Sequence, residues 1–582
     1  MRILGIVGST HDSGLAILDN GKPDLVIEEE RLNRVKKTLA FPTHAITAAL
    51  GQRAEGLASI DVMVMPWDQR ALQASAFKAL MAKFPSSLAL LSPRAHTPQK
   101  NEVVLLDRVI RRKFKQNFGV DTLPPIVNVG HHNSHAAMYF VSPFDDATVL
   151  VMDGYGDDAA TSIYVGNGAK LTRRWRSSFF NSIGMVYTLI TEYLGFGGFS
   201  DEGKVMALAA FGDDTYVDRF RDCIRLHPDG TYAVNMDYFS YDRFGQLRPF
   251  KRKFYEAFGP ARAAGTPLED RHRAVAFALQ KVTEETILHI VRHLTKTIGT
   301  RKLVLAGGVA LNCVANARIL ELTDVETIWV PPCASDTGAP IGAALWHYHQ
   351  TLGHDRGFEL THAFYGLEYS ASEIEKAMAA AGIVAERLTE TSLLSRVAAD
   401  LADGKIVGWF QGRFEMGPRA LGNRSILADP RKASMRDVIN AKIKQRESFR
   451  PFAPAVLIER ASEFFFIDQP DPFMTMAPCI RPEKAHLIPA AVHADGTGRI
   501  QTVARAANPR YYGIIEAFGK LTGVPVLLNT SFNRQEPIVS TPAEAISCFL
   551  RTGMDVLVMG DYYVSDRNPQ AIDKAEAGFA RV

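Results

Sequence analysis

Four times in the first 350 residues an apolar, strand-like run ends in a turn rich in small residues, and this recurrence confines the chain to folds that gather polar groups at strand ends. Residues 3–7 run into GSTHDSG, residues 148–152 into DGYGDD, residues 302–305 into AGGVALN, and residues 327–330 into PPCASDTGAPIGAAL. The first turn, residues 8–14, is followed by the apolar residues 15–18, so the chain is expected to open with a β-hairpin whose turn carries His11 and Asp12. Residues 338–345 read as a helix start. An α/β architecture follows.

At 582 residues the chain exceeds the ~100–200 typical of one domain, so at least two folding units are expected. Residues 170–300 mix helical spacing, as in residues 273–295, with an aromatic-rich stretch at residues 232–254, and are expected to cap a cleft. Around residues 352–375 helical periodicity gives way to Gly and polar residues, which suits a linker. The expected domains are residues 1–355 and 372–582, the second also α/β. No internal repeat or low-complexity tract is evident. The basic residues 108–115 share helical spacing with Leu105, Val109 and Phe114, so they read as a solvated helix face rather than a nucleic-acid patch.

Lys and Arg number 66 against 63 Asp and Glu, a net charge of +3, which offers no broad basic surface for nucleic acid. Any anion site must be local. The five cysteines form no Cys-x-x-Cys pair, which argues against a disulfide framework or a cysteine zinc knuckle. The N-terminal residues lack the pattern of a secretory signal, and no apolar run reaches the roughly 18 residues of a membrane span. A cytoplasmic enzyme is expected.

Three constellations carry chemistry. In HHNSHAA, His131 and His135 stand four apart and project from one helix face, able to hold one cation, while His132 points elsewhere. A purely structural or capping role is the alternative for the pair. Asp153 and Asp336, each just after a buried strand, could complete a two-His, two-carboxylate set suited to iron, zinc or manganese. A zinc-peptidase site is disfavoured, because His132 stands where that motif needs Glu. In GGVALN, Gly307 and Gly308 would let backbone amides approach a phosphate or nucleoside, with Asn312 close behind; a plain strand-to-helix turn is the competing reading. In GRFEMGPRALGNRSILADPR and NAKIKQRESFRPFAPAV, Arg413, Arg419, Arg424, Lys444, Arg446 and Arg450 are interleaved with glycine and apolar residues. Guanidinium groups held by a packed scaffold suit phosphate oxygens, though pairing with Glu415 or Glu447 is expected to claim one or two. Arg499, Asn529 and Ser531 stand at later turns and could join that pocket.

The ordered set of turns resembles the phosphate, connecting and adenosine segments of the actin, sugar-kinase and Hsp70 ATPase fold. Together with EEERLNRVKK, EGKVMALA, SFRPFAPAV and LNTSFN, the motifs resemble the antibiotic and nodulation-factor O-carbamoyltransferase family from residue 8 to about residue 540. That resemblance implies an N-terminal actin-like domain of the threonylcarbamoyl-transferase type and a C-terminal YrdC-like domain. The second would make carbamoyladenylate from carbamoyl phosphate and ATP with Mg2+; the first would pass the carbamoyl group to a small-molecule alcohol.

The resemblance further implies that His131, His135, Asp153 and Asp336 are ligands of a transition metal, Fe2+ favoured over Zn2+ or Mn2+, and that His11 is the base for the acceptor hydroxyl. The alternative for His11 is a side chain that satisfies turn amides. Lys204 is expected to meet a phosphate or carboxylate in the first domain, and Arg419, Lys444, Arg450, Arg499, Asn529 and Ser531 to bind carbamoyl phosphate and ATP. A homodimer is compatible with the family. Two departures stand out: NTSFNRQEPIV has Arg534 and Gln535 and lacks the family's glycine before Glu536, and LAAFG replaces LAPYG. A small-molecule kinase or ATPase of the actin-like fold, and a nucleotide-dependent switch, are the competing readings. The switch leaves the His pair and the arginine-rich second domain without a role.

Overall fold

The computed structural model describes residues 1–8, 11–92 and 106–567. It divides the chain into one unit of Met1–Glu30 and Lys37–Leu360 and a second of Arg31–Lys36 and Thr361–Val582. Both are mixed α/β.

The first unit is built on two sheets. The expected hairpin is β1 (Arg2–Val7) and β2 (Gly14–Asp19), antiparallel with Val7 opposite Gly14. Within its turn, Ser9 and Thr10 lie outside the described residues. β3 (Lys22–Glu28) continues the meander, while β4 (Val62–Met65) and β5 (Ile126–Asn128) add parallel strands on the other edge of β1, giving the order β3-β2-β1-β4-β5. The second sheet starts from β6 (Asp146–Met152), β7 (Thr161–Asn167) and β8 (Lys170–Arg176), again an antiparallel meander. A separate two-stranded ribbon, β9 (Ile224–Leu226) with β10 (Tyr232–Val234), comes next in the chain. β11 (Lys302–Ala306) and β12 (Thr327–Trp329) then add in parallel to β6, giving β12-β11-β6-β7-β8.

The two sheets therefore share one topology, three antiparallel strands followed by two parallel ones, although no repeat is evident in the sequence. The repeat is one of backbone path. A sheet asks only for alternating or continuous apolar residues at fixed places, which many unrelated sequences supply.

Between the sheets' strands run helices that follow the sequence closely. The helix expected within residues 273–295 spans Asp270–Ile298 and ends at Gly299 in the left-handed conformation. The basic stretch forms Leu106–Phe118 with Val109 and Phe114 buried; Leu105 lies outside the described residues. The aromatic stretch packs Phe239, Phe250 and Phe254 together with Tyr193. Asp336–Gly338 makes one tight 3-10 turn before the helix Ala339–Leu345. That helix lies so close to the helix His131–Ala136 that a Cβ at Gly342 would stand 1.9 Å from the Ser134 carbonyl oxygen. Only glycine permits the approach.

Residues 352–370 carry no helix or strand, and Ser370 with Glu373 forms the capping box of the next helix, Ala371–Ala381. The second unit holds one mixed eight-stranded sheet. Its strands are β13 (Glu386–Arg387), β14 (Val407–Phe410), β15 (Arg424–Ala428), β16 (Ala453–Leu457), β17 (Gln501–Val503), β18 (Val526–Ser531), β19 (Val556–Met559) and β20 (Tyr562–Val564). Their order is β13-β20-β19-β14-β15-β18-β16-β17. Leu393, Val397 and Leu401 of the helix Glu390–Ala402 and Tyr511, Ile514 and Phe518 of the helix Pro509–Thr522 form a core with Trp409, Leu427 and Val556 of the sheet. None of the five cysteines is in a disulfide. Among the described residues no helix is long and apolar enough to cross a membrane.

Candidate metal centre and anion site

His131 and His135 sit one turn apart on a short buried helix that Asp157 anchors by accepting the His131 amide at 2.9 Å. Their Nε2 atoms are 3.2 Å apart. Asp153, one residue past β6, places Oδ2 3.1 Å from His131 Nε2 and 3.4 Å from His135 Nε2. Asp336, at the tight turn after β12, places Oδ1 3.4 Å from both. One ligand atom from each of the four buried residues lies within 4.8 Å of the others. Atoms about 2.1 Å from a common cation stand about 3.0–3.4 Å apart in tetrahedral or octahedral shells, so the set fits a transition metal.

The surroundings fix these ligands. His131 Nδ1 is 3.3 Å from the Pro66 carbonyl, to which its N–H can donate, and this turns Nε2 toward the cluster. The His131 ring also stacks on Trp67 at 4.1 Å between centroids. Burial alone would lower the His131 pKa, but Asp336 and then Asp153 hold it well above the ordinary value. His135 is raised likewise by its contacts with Asp153 and Asp336 against the effect of burial. Both carboxylates are correspondingly lowered: burial opposes this, and the imidazoles outweigh it. His132 turns away to Ser162 at 2.8 Å, and burial pushes its pKa down.

The GGVALN turn frames this cluster. Gly307 has φ 87° and a Cβ there would meet the Met152 carbonyl oxygen at 2.3 Å. Its amide donates to Ala334, the Gly308 amide to Asp153 Oδ1 at 3.0 Å. Asn312 accepts from Ala315 N at 3.1 Å as a helix cap and exchanges two amide hydrogen bonds with Gln280. These groups are engaged within the fold.

His11 lies beside the cluster, Nδ1 3.9 Å from Asp336 Oδ2 and 3.3 Å from Asp12 Oδ2. Burial would lower its pKa; Asp336 and Asp12 together raise it to about 8. Asp12 also takes a 2.8 Å hydrogen bond from Lys37 Nζ, which outweighs burial and lowers its carboxyl pKa. Sequence reasoning assigned no role to Lys37, although it stands inside the EEERLNRVKK segment. Phe199, whose ring centroid is 5.4 Å from that of His11, was missed as well. Lys204 is 3.1 Å from the Asp201 carboxylate and lies over the Phe196 ring.

In the second unit the basic run separates into two groups. Arg413 donates to the Gly366 and Tyr365 carbonyls, and buried Arg424 to those of Gln411, Asn423 and Gly412 while lying over Phe410. Main-chain oxygens accept from both, while the Glu415 charge favours Arg424, and the expected carboxylate pairing is seen at Arg450 with Glu447. Glu415 instead accepts the amides of Leu421, Asn423 and Arg424 on one oxygen, shaping the loop that carries half-buried Arg419.

The other group gathers positive charge. Lys444 is buried and donates to Ser531 and Asn533 oxygens, at 2.7 Å for Asn533 Oδ1. Burial, then Arg446, lowers its pKa well below the usual lysine range. Arg446 falls to about 9 through burial and the neighbouring Arg450 and Arg499. Glu447 is 4.0 Å from Arg450 and offsets only part of this charge. Asn529 donates to Ala420 and Gln501. A cluster of cations whose own charges oppose one another has the chemistry to hold a multiply charged anion.

Comparison with known proteins gives two domain matches: residues 2–345 match the model described as carbamoyltransferase N-terminus, and residues 398–566 the one described as carbamoyltransferase C-terminus. An uncharacterized protein, sll1178, of Synechocystis sp. (strain ATCC 27184 / PCC 6803 / Kazusa) is 39% identical, covering 97% of this chain and 96% of its own. Nodulation protein NolNO of Sinorhizobium fredii (strain NBRC 101917 / NGR234) is 37% identical over 97% of this chain and 80% of its own. Nodulation protein NolO of Bradyrhizobium diazoefficiens is 40% identical over 75% and 79%.

Proposed function

Because the chain belongs to the carbamoyltransferase family and is thereby an enzyme that carbamoylates a hydroxyl, we propose that it does so in two half-reactions driven by ATP. In the second unit, carbamoyl phosphate, ATP and water give carbamoyladenylate, phosphate and pyrophosphate, with Mg2+ accompanying the nucleotide. In the first, the acceptor's hydroxyl oxygen bonds to the carbamoyl carbon, the bond to the adenylate oxygen breaks, AMP leaves with that electron pair, and the hydroxyl proton goes to His11. The observation that carries this reading is the convergence of His131, His135, Asp153 and Asp336 beside His11.

The duplicated sheet supports an actin-like assignment for the first unit. The YrdC-like assignment of the second rests on the resemblance of its motifs alone. His131, His135, Asp153 and Asp336 would hold a transition metal, Fe2+ by resemblance, with Zn2+ and Mn2+ compatible with the same donors. Such a cation would supply positive charge where the leaving phosphate and carbonyl oxygen become more negative. In its neutral form His11 receives the proton, and Asp12 fixes its ring nitrogen. Lys444, Arg446, Arg450 and Arg499 bind the phosphate groups, with Arg419, Asn529 and Ser531 at the same pocket; this charge orients the donor and disfavours its escape. The acceptor is a small-molecule alcohol.

Incubation of the purified protein with ATP, Mg2+ and carbamoyl phosphate, without acceptor, tests the first half-reaction. Pyrophosphate that depends on carbamoyl phosphate is the expected result. ADP in place of pyrophosphate would overturn the adenylation step and point to phosphoryl transfer.

A further inference from the structure

His11 is surrounded by residues with left-handed backbones. Asp12, Lys37 and Phe199 have φ of 62°, 52° and 61°. For an aspartate this is unusual; for a bulky phenylalanine it is an outlier. Phe199 follows two glycines, Gly197 and Gly198, either of which would adopt that conformation without strain. The strained position is instead given to the aromatic residue.

A carboxylate holds it there. The Phe199 amide donates to Glu202 Oε1 at 2.7 Å, and the same oxygen accepts from Thr188 Oγ1 at 2.8 Å. Thr188 lies on the buried helix Ile183–Tyr193, so the loop is tied to a rigid element. The ring that results lies 5.4 Å from the His11 ring, tilted by 32°. It also reaches the turn after Asp153, where a Cβ at Gly154 would meet it at 3.9 Å. The Phe199 ring is thereby a fixed packing neighbour of the imidazole, whose Nδ1 meets Asp12 and Asp336. Strain kept by a dedicated hydrogen bond beside a reactive group is an observation from which function is argued, not the reverse.

We propose that Phe199, held in the left-handed conformation by Glu202, is a positioning residue that fixes the His11 imidazole toward Asp12 and Asp336. It rests on the reading of His11 as the group that receives the acceptor's proton.

The test compares full-length Phe199→Gly, Phe199→Ala and Phe199→Tyr. Glycine removes the ring and the strain, alanine removes the ring and keeps the strain, and tyrosine keeps both. The readouts are the rate at which diethyl pyrocarbonate modifies His11, mapped by peptide mass, and the melting temperature. The expected result is at least fivefold faster modification of His11 in the Gly and Ala variants, a wild-type rate in the Tyr variant, and a higher melting temperature for Gly than for Ala. Equal rates in all three, or a Gly variant that melts at or below the Ala variant, would overturn the proposal. If Gly and Ala fail to fold, Glu202→Ala, which frees the Phe199 amide and leaves the ring, is judged by the same fivefold rate criterion. These readouts need no turnover. Absence of carbamoyl-phosphate-dependent pyrophosphate in the wild type would sink the functional reading while leaving the Phe199 contact separately decided.

Discussion

The Gly308 amide donates to Asp153 Oδ1 at 3.0 Å, while the other oxygen of the same carboxylate faces both His131 and His135. A turn that looks in sequence like a phosphate loop thus orients a ligand of the candidate metal centre. Support of this kind typically governs metal affinity tenfold to a hundredfold.

Asp153→Asn separates the two oxygens. An amide oxygen at the Oδ1 position still accepts from Gly308, but the –NH2 then points at two imidazole nitrogens and cannot ligate. Metal content, measured by mass spectrometry after equal loading, is expected to fall at least tenfold. The melting temperature of the metal-free protein is expected to fall as well, since a neutral amide no longer offsets the charge of the two imidazoles even though the turn keeps its hydrogen bond. Wild-type metal content in the variant would remove Asp153 from the ligand set.

The metal-free cluster also sets a pH dependence. Raised imidazole pKa values contribute stability that is complete below about 6.5, the unfolded value, and is lost as pH rises through the folded ones. The lowered carboxylates contribute stability that is complete above about 3.9 and is lost on acidification through their folded values. The contributions are present together between about pH 4 and 6.5. Chelated protein is therefore expected to lose thermal stability between pH 6 and pH 9, and metal-loaded protein to lose less, because metal replaces the protons. Parallel melting curves across that range would show that protons and metal do not compete here.

Much of the candidate metal centre is legible in the sequence. His131 and His135 at helical spacing, and Asp153 and Asp336 just after strand ends, are local signals, and each residue falls on the element its surroundings predict. The duplicated sheet was not legible, because matching backbone paths impose no matching residues. Lys37 and Phe199 were also hidden: their roles depend on contacts with Asp12 and His11 across 25 and 188 positions, which no spacing rule reports. In the second unit, sequence showed that the arginines could not all be solvated. It could not show that Arg413 and Arg424 are held by carbonyl oxygens, since backbone acceptors are invisible to residue type.

Lys444 offers a test of the anion site. A buried amine with only neutral oxygens among its described hydrogen-bond acceptors gains most when a phosphate group neutralises it and its neighbours. Lys444→Met keeps the length of the stem and removes the charge. It is expected to abolish at least 99% of carbamoyl-phosphate-dependent pyrophosphate release, a loss of about 2.7 kcal/mol or more. It is also expected to erase the rise in melting temperature that inorganic pyrophosphate gives the wild type. Retention of both responses would place the anion elsewhere.

The last prediction concerns packing rather than ligands. Asp336 opens the 3-10 turn that leads into the helix Ala339–Leu345, and the two histidines ride on the helix His131–Ala136. These helices meet where Gly342 faces the Ser134 carbonyl, and a methyl group there would lie 1.9 Å from that oxygen, far inside contact distance. Gly342→Ala must push the two helices apart or bend one of them, at a cost of about 1–3 kcal/mol or more. The shift would separate Asp336 from the imidazole nitrogens, now 3.4 Å away, by a distance that a bound metal does not tolerate. Lower melting temperature together with at least tenfold weaker metal binding is expected, although residue 342 touches no ligand atom. If the variant melts lower but binds metal as tightly as the wild type, the spacing of the two helices does not govern the centre.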